Sequence, residues 1–286
     1  MLEVSRRAFA LGAGAFCAGL SAAEAGPKLK VYVFVDMEGV SGVSSSEQTI
    51  GSRRSEGCLL MAGDINACVE GCFAAGATEV VVRDGHWKGV NVDPALIDPR
   101  AKLVQGSTPG VRFKDLDGSE ALILLGYHAK ALTPGALLAH SYSSATIQGL
   151  WLNGREVGEI GLDAAIAAEH GVPVVMVSGC DKVAAEAREW IPGVVACAVK
   201  KSTGVQGAEC PPAEETRRLI REKAEEAVRK RQAIRPAAVA HPVTLRRDYL
   251  PKESLRTYDP AFKPVENPRR AEKTGASAEQ VFLGKE

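Results

Sequence analysis

Three short runs of almost unbroken apolar residues constrain this chain more than anything else in it: Val-Tyr-Val-Phe-Val at 31–35, Val-Val-Val at 80–82 and Ala-Leu-Ile-Leu-Leu at 121–125. A strand with one face in water alternates apolar and polar residues. These runs do not alternate, so both faces of each strand are covered, as in a parallel sheet layered between helices. The order reads strand Lys30–Asp36, helix Glu56–Ala75, strand Glu79–Asp84, strand Ala121–His128, helix Gly158–His170, strand Val172–Val177, helix Asp181–Ile191, strand Val194–Val199 and an amphipathic helix over Pro211–Gln232. That rhythm predicts a three-layer α/β fold with a mostly parallel sheet flanked by helices. Leu150–Val157 stands apart, with Asn153-Gly154 between two short apolar segments, the signature of a tight hairpin.

The ends of the chain read differently from its middle. Ser5-Arg6-Arg7-Ala8-Phe9 leads into the weakly apolar stretch Ala8–Ala23, and Ala23-Glu24-Ala25 offers small residues for cleavage before Gly26. Residues 1–25 are therefore expected to be a twin-arginine signal that exports the folded protein to the periplasm. Residues 26–232 form the expected α/β domain. Residues 233–286, dense in proline and charge, are expected to be a small, irregular and poorly ordered C-terminal segment, in which only Ala237–Leu245 resembles a strand.

Composition narrows the partners. Lys plus Arg and Asp plus Glu both number 35, so no overall field draws the protein to nucleic acid or to an anionic membrane surface, and no membrane insertion is expected once the signal is removed. Small substrates fit better. Six cysteines follow residue 26, none in the paired C-x-x-C spacing of a thiolate zinc site or a dithiol redox motif. Cys68 and Cys72, four apart on one expected helix, leave a disulfide open.

In open α/β sheets, ligands bind beyond the carboxyl ends of the strands. Asp36 and Glu38 follow the first predicted strand, Asp84 and His86 end the second, and Tyr127 and His128 end the third. Residues two apart in extended chain share a face, so each acidic pair or acid–imidazole pair can grip one cation. Carboxylates and imidazoles without thiolate suit Zn²⁺, Mn²⁺ or Co²⁺, and a carboxylate such as Asp36 can bridge two ions. Each residue alone has a plainer reading: an Asp after a strand often caps a helix, and a single buried His is usually structural. What favours a metal site is that two of only five histidines fall at strand ends beside carboxylates. Asp84 is expected to orient a ligating imidazole or a metal-bound water, Asp181 to cap a helix or line the site, and His170 and His241 to play no part.

Five ordered blocks carry a family likeness: Val35-Asp36-Met37-Glu38-Gly39, Asp84-Gly85-His86, Gly126-Tyr127-His128-Ala129, Thr133-Pro134-Gly135 with His140, and Val157-Gly158-Glu159-Ile160-Gly161. Together they resemble the DppA-type D-aminopeptidases, a metallopeptidase family. The resemblance implies two zinc ions per chain, with Asp36 bridging them, Glu38 and His86 completing one site and His128 and Glu159 the other. It also implies that His140 stands free beside them as the catalytic residue, that the substrate is a short peptide with a D-residue at its N-terminus, such as D-Ala-D-Ala, and that the protein is a homo-oligomer. By itself Glu159 would read as an acid favoured in the first turn of a helix. The same acid- and histidine-rich edge would also serve another binuclear hydrolase, such as a phosphoesterase or amidase, or a metal-dependent binding protein without catalysis. No Gly-rich phosphate cradle is present and few arginines lie near the blocks, which favours the peptidase.

Overall fold

The computed structural model describes residues 28–250 and 266–284, so the expected export signal lies outside the described residues. Seven strands form the central sheet: β1 (Lys30–Val35), β2 (Glu79–Asp84), β3 (Ala101–Val104), β4 (Ala121–Tyr127), β7 (Val174–Cys180), β8 (Val195–Gly204) and β9 (Gly207–Glu209). They lie in the order β3-β2-β1-β4-β7-β8-β9. All neighbours are parallel except β9, which runs antiparallel to β8. The apolar runs foretold this: every residue of β4 and β7 is buried, and β1 is buried beyond Lys30. The fold is α/β, as expected.

Helices α1 (Arg54–Ala74), α2 (Glu159–Glu169), α3 (Asp181–Trp190) and α4 (Ala213–Lys230) flank the sheet, α1 packing along α4 and α2 against α3. Cys68 and Cys72 are buried in α1 as free thiols, so the disulfide left open by their spacing is not formed. Glycines mark the closest approaches. A Cβ on Gly71 would lie 2.3 Å from the Arg221 carbonyl of α4, so the two helices meet backbone against backbone there.

Chain order runs outward from β1 to β2 and β3 on one side, and from β4 to β7 and β8 on the other. The reversal lies between β1 and β4. Their carboxyl ends therefore open a crevice, the place where such sheets bind ligands.

A second, antiparallel sheet joins four strands in the order β11 (Arg269–Gly275), β10 (Val243–Tyr249), β5 (Ile147–Leu152) and β6 (Arg155–Val157). Its hairpin of β5 and β6 turns at Asn153 (φ 50°) and Gly154 (φ 81°), both in the left-handed region that the Asn-Gly pair favours. The C-terminal stretch departs from its expected irregularity. Residues 243–249 form β10, 269–275 form β11 and Ala278–Leu283 form α5, whose residues Ala278 and Val281 are buried. β11 reads Arg-Arg-Ala-Glu-Lys-Thr-Gly because it is an edge strand, where charged side chains face water and block further pairing. An apolar-run criterion cannot find such a strand.

Candidate metal centre

The loop after β1 is fixed from three sides. Asp36 N donates to Leu125 O at 2.8 Å and Gly39 N to Gly126 O at 2.7 Å, stitching the loop to the end of β4. Contact is so close that a Cβ on Gly39 would sit 1.9 Å from the Tyr127 carbonyl oxygen, and Gly126 itself has φ 72°. Only glycine fits there. From α1, the Asp64 carboxylate accepts Ser41 N at 2.8 Å. From β8, the buried Lys200 ammonium donates all three of its hydrogens to Glu38 O, Val40 O and Val43 O, at 2.7, 2.8 and 2.6 Å.

This loop brings Asp36 and Glu38 to His86, which follows β2, with their ligand atoms within 4.8 Å of one another. His128, His140 and Glu159 form a second group within the same span. His128 follows β4, His140 lies in the loop beyond it and Glu159 opens α2. Asp36 stands between the groups, its Oδ1 2.9 Å from His86 Nδ1 and its Oδ2 3.3 Å from His128 Nε2. All six residues named from the sequence therefore meet at the switch point.

In the second group the converging atoms lack a proton to share. His128 Nδ1 lies 3.0 Å from Ala129 O, and a carbonyl can only accept, so Nδ1 carries the hydrogen and Nε2 of the neutral ring is a lone pair. That lone pair faces Glu159 Oε1 at 3.0 Å and Asp36 Oδ2 at 3.3 Å. Acceptors alone converge, and only a cation or an added proton reconciles them. His128 Nε2 is buried without a hydrogen-bond partner among the described residues, and His86 turns its Nδ1 to Asp36 at 2.9 Å and Glu38 at 3.2 Å. An all-oxygen-and-imidazole donor set of this kind fits zinc.

Charge compensation shows in the titration of the same groups. Burial and the neighbouring Glu38 raise Asp36 to about 6. Burial alone would lower His128, but the Glu159 carboxylate outweighs it and holds the ring at about 10. Burial opposes the drop in Glu159, yet the His128 charge takes it down to about 2. His140 moves the other way, down to about 4, through burial and then the charge of His128, whose ring stacks on it at 3.7 Å. His140 thus stands beside the second group, its ring stacked on that of His128.

Asp84 reaches His86 indirectly. It touches no imidazole; its oxygens accept Asn91 N at 2.6 Å and Asn91 Nδ2 at 2.7 Å, and Asn91 Nδ2 also donates to His86 O. It holds the His86 backbone through Asn91. Asp181 accepts Ser202 N at 2.8 Å and lies away from the metal groups.

The crevice is a cavity of about 440 Å³, and its wall contains residues that the motifs did not suggest. Arg112 and Tyr142 converge on the buried Asp163, one helical turn beyond Glu159. Trp87 follows His86 directly, 64% exposed and with φ 49°, at the rim beside Ile50. A bulky residue in the left-handed region is uncommon and clusters at ligand sites. Lys200 could have been suspected as a lysine inside an apolar strand, whereas Arg112, in a Gly- and Pro-containing loop, gives no signal in the sequence.

Comparison with known proteins agrees with this geometry. A sequence profile described as D-aminopeptidase matches residues 29–256. A D-aminopeptidase of Bacillus subtilis (strain 168) is 36% identical over 212 residues, covering 73% of this chain and 77% of that protein. The solved structure of a zinc-dependent D-aminopeptidase from Bacillus subtilis, described as a self-compartmentalizing protease, superposes with a TM-score of 0.81 at 29% identity, covering 90% of this chain and 96% of the other.

Proposed function

The chain belongs to the D-aminopeptidase family and is a metal-dependent peptidase, and on that premise we propose that it releases a D-configured N-terminal residue from short peptides such as D-Ala-D-Ala at a centre of two zinc ions. The observation that carries this reading is the pair of donor groups sharing Asp36. Asp36 would bridge, Glu38 and His86 would hold one ion, and His128 and Glu159 the other.

Bound zinc supplies Lewis acidity toward a carbonyl oxygen and lowers the pKa of water. The remaining work falls to the chain itself. His140 Nδ1 lies 3.0 Å from Leu138 O and so carries the ring hydrogen, leaving Nε2 as the basic nitrogen, 3.9 Å from Glu159 Oε1. Held neutral, His140 can take a proton from the attacking water at Nε2 and return it to the leaving amine. Tyr142 N donates to Glu159 Oε1 at 2.7 Å and fixes that carboxylate.

The N-terminal residues carry the twin-arginine pattern, and we place the mature protein in the periplasm on that ground. The relative's description as self-compartmentalizing supports a homo-oligomer.

The test is metal content together with turnover. About two zinc ions per chain and faster hydrolysis of D-Ala-D-Ala than of L-Ala-L-Ala are expected, and Glu38→Gln is expected to lower the zinc content toward one ion and to abolish the turnover. Protein grown in zinc that holds none would overturn the reading.

A further inference from the structure

The cavity in front of the metal groups is acidic, yet one permanent cation stands among its described lining residues. Arg112 enters from the loop before β4, with its side chain 15% exposed. Nε and Nη2 donate to the two oxygens of Asp163 at 2.8 and 2.7 Å, a bidentate fork. The guanidinium is also boxed by rings: Phe34 at 4.4 Å, Tyr142 at 5.2 Å, Phe113 at 5.7 Å and Phe282 of α5 at 5.8 Å. Its backbone is tied as well, Arg112 N donating to Glu279 Oε1 at 2.7 Å.

Such a side chain is immobilised before any ligand arrives, so binding to it costs little conformational entropy. Asp163 is saturated on every side, since Tyr127 Oη donates to it at 2.6 Å and Tyr142 Oη at 3.1 Å. Arg112 Nη1, by contrast, makes no hydrogen bond among the described residues. Nη2 is 3.8 Å from Glu159 Oε2, which puts the guanidinium beside the second metal group. Consecutive Cα atoms are about 3.8 Å apart, so a separation of 3.8 Å corresponds to a group held about one residue from a carbonyl at that centre.

We propose that Arg112 anchors a carboxylate of the substrate one residue beyond the scissile bond, so that this chain selects peptides bearing a free carboxylate at that distance. The inference rests on the aminopeptidase reading above and names the substrate class within it. Two sources supply the same chemistry: the C-terminal carboxylate of a dipeptide, or an acidic side chain on the second residue. Ser143 and Ser144, which line the same wall, offer hydroxyls that suit a polar group better than an apolar one.

The experiment compares kcat/KM of the zinc-loaded protein for D-Ala-D-Ala, for its C-terminal carboxamide and for D-Ala-D-Glu α-amide. Selection by the dipeptide terminus appears as a preference of ~10- to 100-fold for the free acid over the carboxamide, the range for one charge-assisted pair. Selection by an acidic side chain appears instead as restored turnover of the D-Glu amide. In either case Arg112→Met brings the ratio toward one, mainly through KM, and Arg112→Lys recovers part of it. A purely structural Arg112 would lower all three rates together and leave the ratios unchanged. Equal turnover of the three substrates by the unmodified protein overturns the proposal and leaves the aminopeptidase reading intact, with no variant needed. No turnover of any of them by protein carrying its zinc overturns both.

Discussion

The two metal groups are built on different foundations. Asp36, Glu38 and His86 come from adjacent parallel strands, and their loop is bonded to β4, α1 and β8 at once. His128, His140 and Glu159 come from a strand end, a loop and a helix start, and hold one another through stacked rings and the Tyr142 N–H to Glu159 bond. Behind each group stands a buried carboxylate with one oxygen unused. Asp64 accepts Ser41 N behind the first, and Glu186 accepts Lys130 N at 2.8 Å behind the second; in both, the other oxygen has no hydrogen-bond partner among the described residues. A group set by the sheet is rigid through the backbone, whereas one set by a loop and a helix N-terminus depends on its own side chains.

Loss of a ligand should have the largest effect. His86→Ala and Glu159→Gln are each expected to lower zinc from two ions toward one and to cost more than the ~10–100-fold typical of an outer-shell partner. Measured affinities for the ion that remains would rank the two groups, and a stepwise loss in only one variant would show that the groups do not share Asp36. His140→Ala should keep both ions and lower kcat by roughly 10²- to 10⁴-fold, the range for a general acid–base; loss of zinc in that variant would make His140 a ligand instead.

Lys200→Met tests the backbone foundation directly. It removes three charge-assisted bonds from the first loop, so zinc affinity of the first group is expected to fall by ~10–100-fold while the second keeps its ion. Equal weakening of both groups in chelator competition would erase the distinction drawn here.

The smallest effect is on stability against pH. Burial raises Asp64 to about 6 and Glu186 to about 7, both above their unfolded values. The stability tied to each is fully present below the unfolded pKa and is lost as pH rises through the folded one, because the folded state binds the extra proton. Between about pH 4 and 6, Asp64→Asn should flatten the urea-unfolding slope by at most ~1.4 kcal/mol per pH unit. Glu186→Gln should do so about one unit higher. Coincident windows would mean that the two sites are not the independent supports that the geometry suggests.

The legible parts of this molecule are those where one residue type answers one physical demand. Apolar runs with both faces covered specified the central sheet, and acids and imidazoles just past them specified the first metal group. Glu159 was legible only through family likeness, since an acid that opens a helix looks like an ordinary dipole partner. β11 and α5 were missed because an edge strand and a helix of one to two turns need no apolar pattern. Arg112 was missed because its place depends on Asp163 and four rings brought together by tertiary structure. Sequence placed Asp84 beside His86 but could not show that Asn91 lies between them.

Gly39 has a bearing on how the protein could be altered. With a Cβ placed 1.9 Å from a main-chain oxygen, the position has no room for even one methyl group. In a library of single variants, residue 39 should tolerate nothing, while the exposed rim at Ile50 accepts broad change. Attempts to redirect the enzyme to new substrates therefore belong at that rim, with the motif glycine left untouched.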